Sequence, residues 1–404
     1  MSSSLRPLHR QPQFVWFWIA RVLGSLGFQM SSVAFGWLIY DLTESAYLLG
    51  FAGLAQFLPM VLLTFVVGAV ADRFDRRRIT VIAQAVQAAT IIVMTTGVVA
   101  GWLGIVAVFV GLVLLGAARS FERPAMQAML PGLVSAEDLP RAVALSSSAM
   151  QAATIVGPAL GGLLYAFGTA VPLALSGALF ALGAFFAQRL RWHRREGAPR
   201  EAFTLATSFS GLSFIRRQPV LFGAISLDMV AVLLGGFTAL LPIFARDILE
   251  TGPWGLGLLR TAPAVGALVM AALIDRMRLD RDMGVKMFGA VVIFGLCTVA
   301  FALSRDLVLS IAALVILGAA DNVSVVIRQT LVQLSTPDEM RGRVSAVNSL
   351  FIGASNQLGE FESGMTAGLF GTVPATVIGG IGTIAVALLW MRLFPALRRA
   401  EALR

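Results

Sequence analysis

The sequence predicts an all-α integral membrane protein with twelve transmembrane helices in two pseudo-symmetric six-helix bundles. Of its 404 residues, 57% are hydrophobic and only 13% are charged, and the mean hydropathy is +0.83. A soluble chain of this length would need far more polar surface. The apolar residues form continuous runs near the ~20 residues that a helix needs to cross a bilayer. They do not alternate with polar residues as barrel strands do, so helices are favoured.

The apolar runs fall into two sets of six. The first set covers about 13–40, 46–71, 79–100, 103–122, 142–166 and 169–188. The second covers about 220–246, 254–274, 285–303, 307–333, 343–367 and 372–394. Between the sets lies the most polar, arginine-rich stretch. We therefore predict an N-terminal bundle at 1–188, a cytoplasmic linker at 189–218 that includes a helix along the membrane surface, and a C-terminal bundle at 219–404.

The positive charges predict the orientation. Of the 31 Lys and Arg residues, four lie well inside predicted spans, and only Arg246 and Arg305 lie at span ends or in loops on the side opposite the linker. The other loops hold the rest. Because cytoplasmic loops carry the excess of Lys and Arg, we expect both termini and the linker to be cytoplasmic.

Short segments recur in the two halves at offsets of 202 to 207 residues, which predicts parallel repeats. Transporters built from such repeats bind substrate where the repeats meet. The matched positions are Arg21 and Asp228, each after a Gln-Pro pair at the same spacing; Asp72-Arg73 and Asp275-Arg276; Leu115-Gly116-Ala117-Ala118-Arg119 and Leu317-Gly318-Ala319-Ala320-Asp321; and Gly157-Pro158 and Gly359-Glu360.

Composition argues against several other classes of protein. The net charge of +9 and pI near 11.1 could suggest nucleic-acid binding, but the arginines lie in loops between apolar runs. One cysteine, Cys297, and two histidines in polar segments, His9 and His193, leave no disulfide and no His-based metal site. No GxxxxGK[ST], HExxH or CxxC motif occurs. We expect no catalytic residue, cofactor, metal or nucleic-acid partner.

A charged motif follows the second predicted span. It begins at Gly68 and continues through Asp72-Arg73-Phe74-Asp75-Arg76-Arg77-Arg78. The segment resembles the GxxxDRxGRR loop of the major facilitator superfamily, with Asp75 where that motif has glycine. The resemblance implies that Gly68, Asp72, Arg73 and Arg77 act as a conformational latch between the two halves. A plain positive-inside loop is the structural alternative.

A small-residue motif lies in the fifth span. Gly157-Pro158-Ala159-Leu160-Gly161-Gly162 is similar to the GPxxGG signature of exporters in the same superfamily. Gly157 and Gly161 share a helix face and permit close helix contact, while Pro158 permits a bend. The motif therefore predicts a hinge, with ordinary small-residue packing as the alternative.

Ionisable residues inside spans are costly in hydrocarbon and are functional candidates. We hypothesise that Asp228, Glu360, Glu362 and Asp321 include the groups that bind and release protons, since burial disfavours the charged carboxylate. An arginine such as Arg21 or Arg260 would be the counter-charge. Static ion pairs are the alternative. The candidate charge partners within the spans are Arg21, Arg119, Glu122, Arg260 and Arg328; Arg119 and Glu122, three residues apart, could pair with each other.

Neutral polar side chains within the apolar spans predict the lining of a cavity that binds an amphiphilic organic molecule. The substrate-cavity candidates are Gln29, Gln56, Asn348, Asn356 and Gln357. Helix packing is the alternative for each of them.

Segments in the second half narrow the resemblance. Three stretches of the second half resemble one branch of the superfamily, the transmembrane secretion effector type that contains the bacterial enterobactin exporter. They begin at Leu240-Leu241-Pro242, Leu258-Leu259-Arg260 and Arg341-Gly342-Arg343. The resemblance implies a monomeric, proton-coupled antiporter of the bacterial inner membrane, exporting a siderophore-like or drug-like molecule by alternating access. An importer of the same fold and a lysophospholipid or lipid flippase remain alternatives.

Overall fold

The computed structural model describes residues 8–191, 205–277 and 282–400, and within these ranges the secondary structure is helical, without strands. Twelve long helices correspond to the twelve predicted spans. They are α1 Pro12–Thr43, α2 Ala46–Arg73, α3 Arg76–Val99, α4 Ile105–Leu133, α5 Leu139–Tyr165, α6 Ala170–Gln188, α7 Pro219–Gly235, α8 Gly252–Leu273, α9 Met283–Leu303, α10 Leu307–Leu334, α11 Asp338–Phe370 and α12 Thr372–Leu393. The all-α prediction is confirmed.

Eleven of these helices, counted over the described residues, are long and apolar enough to cross a membrane. The exception is α11, which has 33 residues but a more polar sequence. Its polar residues include Asn348, Glu360 and Glu362. Polar side chains on a helix of this length indicate that part of its surface faces other helices or a cavity rather than lipid.

The seventh span is interrupted, which the sequence analysis did not predict. α7 ends at Gly235, and the chain continues through a 3₁₀ turn at Phe237–Leu240, a short α-helical turn at Leu241–Ile243 and a π-helical turn at Phe244–Ile248. Gly236 marks the break, because a Cβ there would lie 2.6 Å from the carbonyl carbon of Gly359 on α11. The helix therefore deforms where the backbone of α11 packs closely against it.

The contacts divide the chain into two compact units. Unit 1 comprises residues 1–42 and 55–201, and unit 2 comprises residues 43–54 and 202–404. The first two turns of α2 thus belong to unit 2, where Gly50 packs against the backbone of Phe361 and Gly364 on α11. Of the predicted linker, residues 192–204 lie outside the described residues, and the remainder contains the linker helix, Leu205–Arg217.

Each unit has an apolar core. In unit 1, Phe14 and Phe17 of α1 pack with Met126 and Met129 of α4. In unit 2, residues of α7, α9 and α10 form one cluster that includes Met287, Phe288 and Ile327. A second cluster joins the linker helix to α7 and α11 through Ile215, Leu221 and Val344. These clusters fix the helices that carry the charged side chains described below.

The two units repeat the same helix contacts. A Cβ on Gly116 of α4 would clash with the carbonyl of Gln56 on α2, and a Cβ on Gly318 of α10 would clash with the carbonyl of Pro263 on α8. Gly116 and Gly318 are 202 residues apart, and Gln56 and Pro263 are 207 residues apart, so both offsets lie within the range of the sequence repeat. The repeat inferred from sequence is therefore also a repeat of helix packing.

Candidate functional site

Asp228 and Arg328 form a buried ion pair inside unit 2. Arg328 Nη1 on α10 donates a hydrogen bond of 2.5 Å to Asp228 Oδ2 on α7. The Asp228 side chain is 7% exposed and that of Arg328 is 2% exposed. Removing two charges from water costs several kcal/mol each, so such groups persist where they neutralise one another. The sequence analysis named Arg21 and Arg260 as examples of counter-charges for Asp228, but its partner is Arg328.

A second carboxyl lies beside this pair. Asp321, Asp228 and Ser324 line a cavity of about 20 Å³ whose other walls are apolar residues of α7 and α9. This volume accommodates about one water molecule. Asp321 interacts electrostatically with both Asp228 and Arg328. Arg328 Nε and the Ser324 hydroxyl have no hydrogen-bond partner among the described residues. Arg328 therefore pairs with Asp228, interacts with Asp321 electrostatically, and retains a donor without a hydrogen-bond partner among the described residues.

Arg260 and Glu360 form the second charged cluster of unit 2. Arg260 on α8 and Glu360 on α11 interact electrostatically. Glu360 also reaches the start of α2, since a Cβ on Gly53 would lie 2.8 Å from Glu360 Oε2. Glu362 points elsewhere and accepts a hydrogen bond of 2.7 Å from Thr366 Oγ1 on its own helix. The cluster thus connects a carboxyl to the place where α2 and α11 pack together.

Glu122 on α4 is a buried carboxyl of unit 1. It is 7% exposed and accepts hydrogen bonds from two amides of α3, Gln84 Nε2 at 2.9 Å and Gln87 Nε2 at 2.8 Å. Both glutamines are fully buried. The predicted pairing of Arg119 with Glu122 is seen as an electrostatic attraction, but no ion pair within 4.0 Å joins them among the described residues.

Arginines surround Glu122 in a cavity of unit 1. Arg21, Arg119 and Arg123 line this cavity together with Glu122, and its volume is about 70 Å³. The guanidinium carbon of Arg119 lies 3.4 Å from the centre of the Phe28 ring. That of Arg21 lies 5.9 Å from the centre of Phe17. Rings hold guanidinium groups by cation–π attraction, which orients these arginines without neutralising them.

The two cavities are built from corresponding positions of the repeat and differ in charge. The unit 1 cavity has arginines where the unit 2 cavity has aspartates. Met126 of unit 1 also corresponds to Arg328 of unit 2. The corresponding wall residues are Arg21 and Asp228, Gly24 and Ala231, Ser25 and Val232, Arg119 and Asp321, and Glu122 and Ser324.

Comparison with known proteins gives the family. A family profile described as transmembrane secretion effector matches residues 2–403. The chain belongs to the transmembrane secretion effector family. The helical architecture agrees with the major facilitator fold predicted from sequence, and members of this superfamily are membrane transporters.

Curated relatives of this secretion effector are exporters by name. The chain is 25% identical to the enterobactin exporter EntS of Citrobacter koseri, with 98% of this chain and 95% of the relative covered. It is 29% identical to the multidrug efflux pump Tap of Mycobacterium bovis, with 98% and 96% covered.

Solved structures of low sequence identity share the fold. A bacterial homologue of the human lysosomal transporter Spinster superposes with a TM-score of 0.76 at 13% identity, over 98% of this chain and all of the other. A bacterial homologue of the iron transporter ferroportin superposes with a TM-score of 0.72 at 19% identity, over 98% and 100%.

The structure describes only some of the residues of the predicted latch. Arg73 at the end of α2 is exposed, and Asp75 caps α3 by accepting a hydrogen bond of 2.9 Å from the Arg77 amide. Asp75 has φ −63°, so this turn does not require the glycine of the superfamily motif. The surroundings of Gly68 and the side chain of Asp72 are outside what the structure describes. The latch therefore stays a prediction.

The glycine motif of α5 serves helix packing in unit 1. A Cβ on Gly157 would lie 2.5 Å from Gln29 Cβ, and one on Gly161 would lie 3.0 Å from the Met30 carbonyl oxygen. Gly162 is buried, and α5 continues through Pro158 without interruption. The glycines therefore seat α1 against α5, while hinge motion at Pro158 stays a prediction.

The predicted substrate-cavity residues do not line either charged cavity. Gln29 packs on Gly157, the Gln56 backbone contacts Gly116, and Gln357 lies near Gly53. Asn356 is exposed. Asn348 is buried, and its Oδ1 lacks a hydrogen-bond partner among the described residues. Their role in substrate binding stays a prediction.

Sequence reasoning missed Gln84 and Gln87. Two amides three residues apart in an apolar run share a helix face, and each needs a partner when buried. That spacing was available in the sequence. Their pairing with Glu122 was not, because it depends on how α3 packs against α4.

Proposed function

We propose that this secretion effector is a proton-coupled exporter that moves a small amphiphilic organic molecule out of the cytoplasm by alternating access. The single observation that carries the proposal is that Asp321 lines the same small cavity as Asp228, whose own charge is paired with Arg328. A carboxyl buried beside a neutralised pair can take up and release one proton without leaving a large uncompensated charge.

The exchange of partners provides the mechanism. With Asp321 protonated, Arg328 and Asp228 neutralise each other. When Asp321 loses its proton, two carboxylates compete for one guanidinium whose Nε is free. The adjoining cavity offers room for the proton to reach Asp321 through a water molecule. Because the aspartates lie on α7 and α10, a change of charge alters the force between these two helices.

Glu360 is the second coupling group in this proposal. It interacts with Arg260 and lies against Gly53 of α2. Protonation of Glu360 would release Arg260 and change the contact between α2 and α11. In this proposal the contact between α2 and α11 responds to the protonation of Glu360.

The direction of transport and the membrane follow from the relatives and the charge distribution. The names of the curated relatives include a siderophore exporter and a drug efflux pump. The excess of positive loops supports cytoplasmic termini in the bacterial inner membrane. The cargo of this chain is then a siderophore-like or drug-like molecule.

The test begins with a thermal-shift screen of purified protein against siderophores, antibiotics, sugars and lysophospholipids. We expect a siderophore-like or drug-like compound to raise the unfolding midpoint. That compound is then offered to inside-out membrane vesicles. An acid interior should drive its uptake, and Asp321→Asn should abolish the dependence on the pH gradient while Asp247→Asn, an exposed carboxyl, leaves it intact.

Other outcomes would contradict the proposal in identifiable ways. Gradient-driven uptake only in right-side-out vesicles would identify an importer. Protection by lysophospholipid alone would identify a lipid flippase. Unchanged pH dependence in both Asp321→Asn and Asp228→Asn would remove the cluster from proton coupling.

A further inference from the structure

We infer that the unit 1 cavity binds an acidic group of the transported molecule, so that the cargo is an organic anion such as an aromatic carboxylate. This inference rests on the proposed function, because it names the chemical class of the cargo. It is carried by the arrangement of Arg21, Arg119, Arg123 and Glu122 around one cavity.

Three arginines share one carboxylate in this cavity, and Glu122 attracts Arg119 electrostatically. No ion pair within 4.0 Å involves Arg21, Arg119 or Arg123 among the described residues. They repel one another, since Arg123 acts on both Arg21 and Arg119 as a like charge. Unpaired cations inside a membrane protein are costly unless they bind something.

The single carboxylate of the cavity does not resolve this excess. Both Glu122 oxygens accept hydrogen bonds from the buried amides Gln84 and Gln87. The hydrogen-bonding groups in the cavity wall are therefore mainly the guanidinium donors of its three arginines. A carboxylate is the group that such donors bind best, through paired, charge-assisted hydrogen bonds.

The other unit shows what an internally balanced cavity looks like. There, Asp228 has its own counter-charge in Arg328. At the corresponding position unit 1 has Met126, which contributes no charge. The one carboxylate of the unit 1 cavity, Glu122, therefore faces three arginines, and a bound anion would offset the remaining positive charge.

The dimensions and walls narrow the ligand class. About 70 Å³ accommodates an acidic group but not a whole drug-sized molecule. Arg123 and Gln127 are exposed at the cavity, which leaves a way out for the rest of the molecule. The Arg119 guanidinium lies over the Phe28 ring, with its carbon 3.4 Å from the ring centre. Planar donors of this kind match a planar carboxylate.

The experiment compares three probes that share one ring. Benzoate, benzamide and benzamidine are anionic, neutral and cationic, and their binding to the purified full-length protein is measured by saturation-transfer NMR without a pH gradient. We expect benzoate to bind at least about tenfold more tightly than benzamide, and benzamidine not to bind. Arg21→Gln and Arg119→Gln should each weaken benzoate binding at least about tenfold.

Arg189→Gln is the matched control. Arg189 also lies over a phenylalanine ring, 4.7 Å from the centre of Phe185, but does not line the cavity. It should leave benzoate binding unchanged. If Arg119→Gln does not fold, Arg119→Lys keeps the charge but loses the planar donor pair, and benzoate binding should still fall.

Two results would overturn the inference. One is equal binding of benzoate and benzamide, and the other is unchanged benzoate binding in the Arg21 and Arg119 variants. Proton coupling is tested independently of benzoate binding. Asp321 does not line the unit 1 cavity, so Asp321→Asn should retain benzoate binding. Loss of pH dependence without benzoate selectivity would reject only the anion site, whereas benzoate selectivity without pH dependence would reject only proton coupling.

Discussion

Arg328 donates a hydrogen bond to Asp228 between α10 and α7, and neither side chain is more than 7% exposed. The pair joins two helices of unit 2 through charges that cannot turn to solvent. Removal of either partner leaves the other charge buried and uncompensated. The contact is therefore structural as well as a candidate for proton coupling, and mutation can separate the two roles.

Asp228→Ala should destabilise the protein by about 3 kcal/mol, the cost of an unpaired buried charge. Asp228→Ala with Arg328→Met should be more stable than Asp228→Ala alone. The measurement is thermal unfolding in detergent, and Asp247→Asn serves as the exposed control. Equal midpoints for the single and double variants would show that the pair is not energetically coupled.

Gln84→Leu combined with Gln87→Leu should destabilise unit 1. Glu122 would lose both of its hydrogen-bond donors in a buried position, at a cost of about 2 kcal/mol or more. Adding Glu122→Leu should restore much of that loss, because no unsatisfied acceptor remains. The measurement is the unfolding midpoint of the double and the triple variant. A triple variant less stable than the double would show that the unsatisfied Glu122 oxygens are not the cause of the destabilisation.

Gly116→Ala and Gly318→Ala should each lower stability by about 2 kcal/mol, as overpacking does. In each case the new methyl group meets a carbonyl oxygen, that of Gln56 or of Pro263. Gly289→Ala is the control, because a Cβ there has nothing within 4 Å and alanine favours helix by about 1 kcal/mol. Thermal unfolding of the three variants should rank Gly289→Ala highest.

Glu44 and Arg246 offer a test of movement within unit 2, between the turn that follows α1 and the end of the seventh span. Their side chains pair at 3.0 Å, and both are partly exposed. An exposed pair contributes less than about 1 kcal/mol, so Glu44→Cys and Arg246→Cys should leave the fold intact. In a Cys297→Ser background, a short cleavable crosslinker between the two cysteines should stop transport, and reduction should restore it. Each single cysteine with the same reagent is the control, and full transport by the crosslinked protein would contradict a cycle in which these segments separate.

The sequence by itself determined the helices, the repeat and most of the charged residues that form the site. Apolar run length is a local property, so it located each span. The offsets between Gly116 and Gly318, or between Arg119 and Asp321, followed from order along the chain. They anticipated contacts that the structure repeats in both units.

Only the tertiary structure decided which charges meet. Arg328 is 100 residues from Asp228, and Gln84 is 38 residues from Glu122. Spacing on one helix favoured Arg119 as the partner of Glu122, but packing of α3 against α4 brought two amides there instead. The break at Gly236 likewise depends on the approach of Gly359. Ion pairing in a low-dielectric interior depends on distances between helices, and these are set by packing rather than by position along the chain.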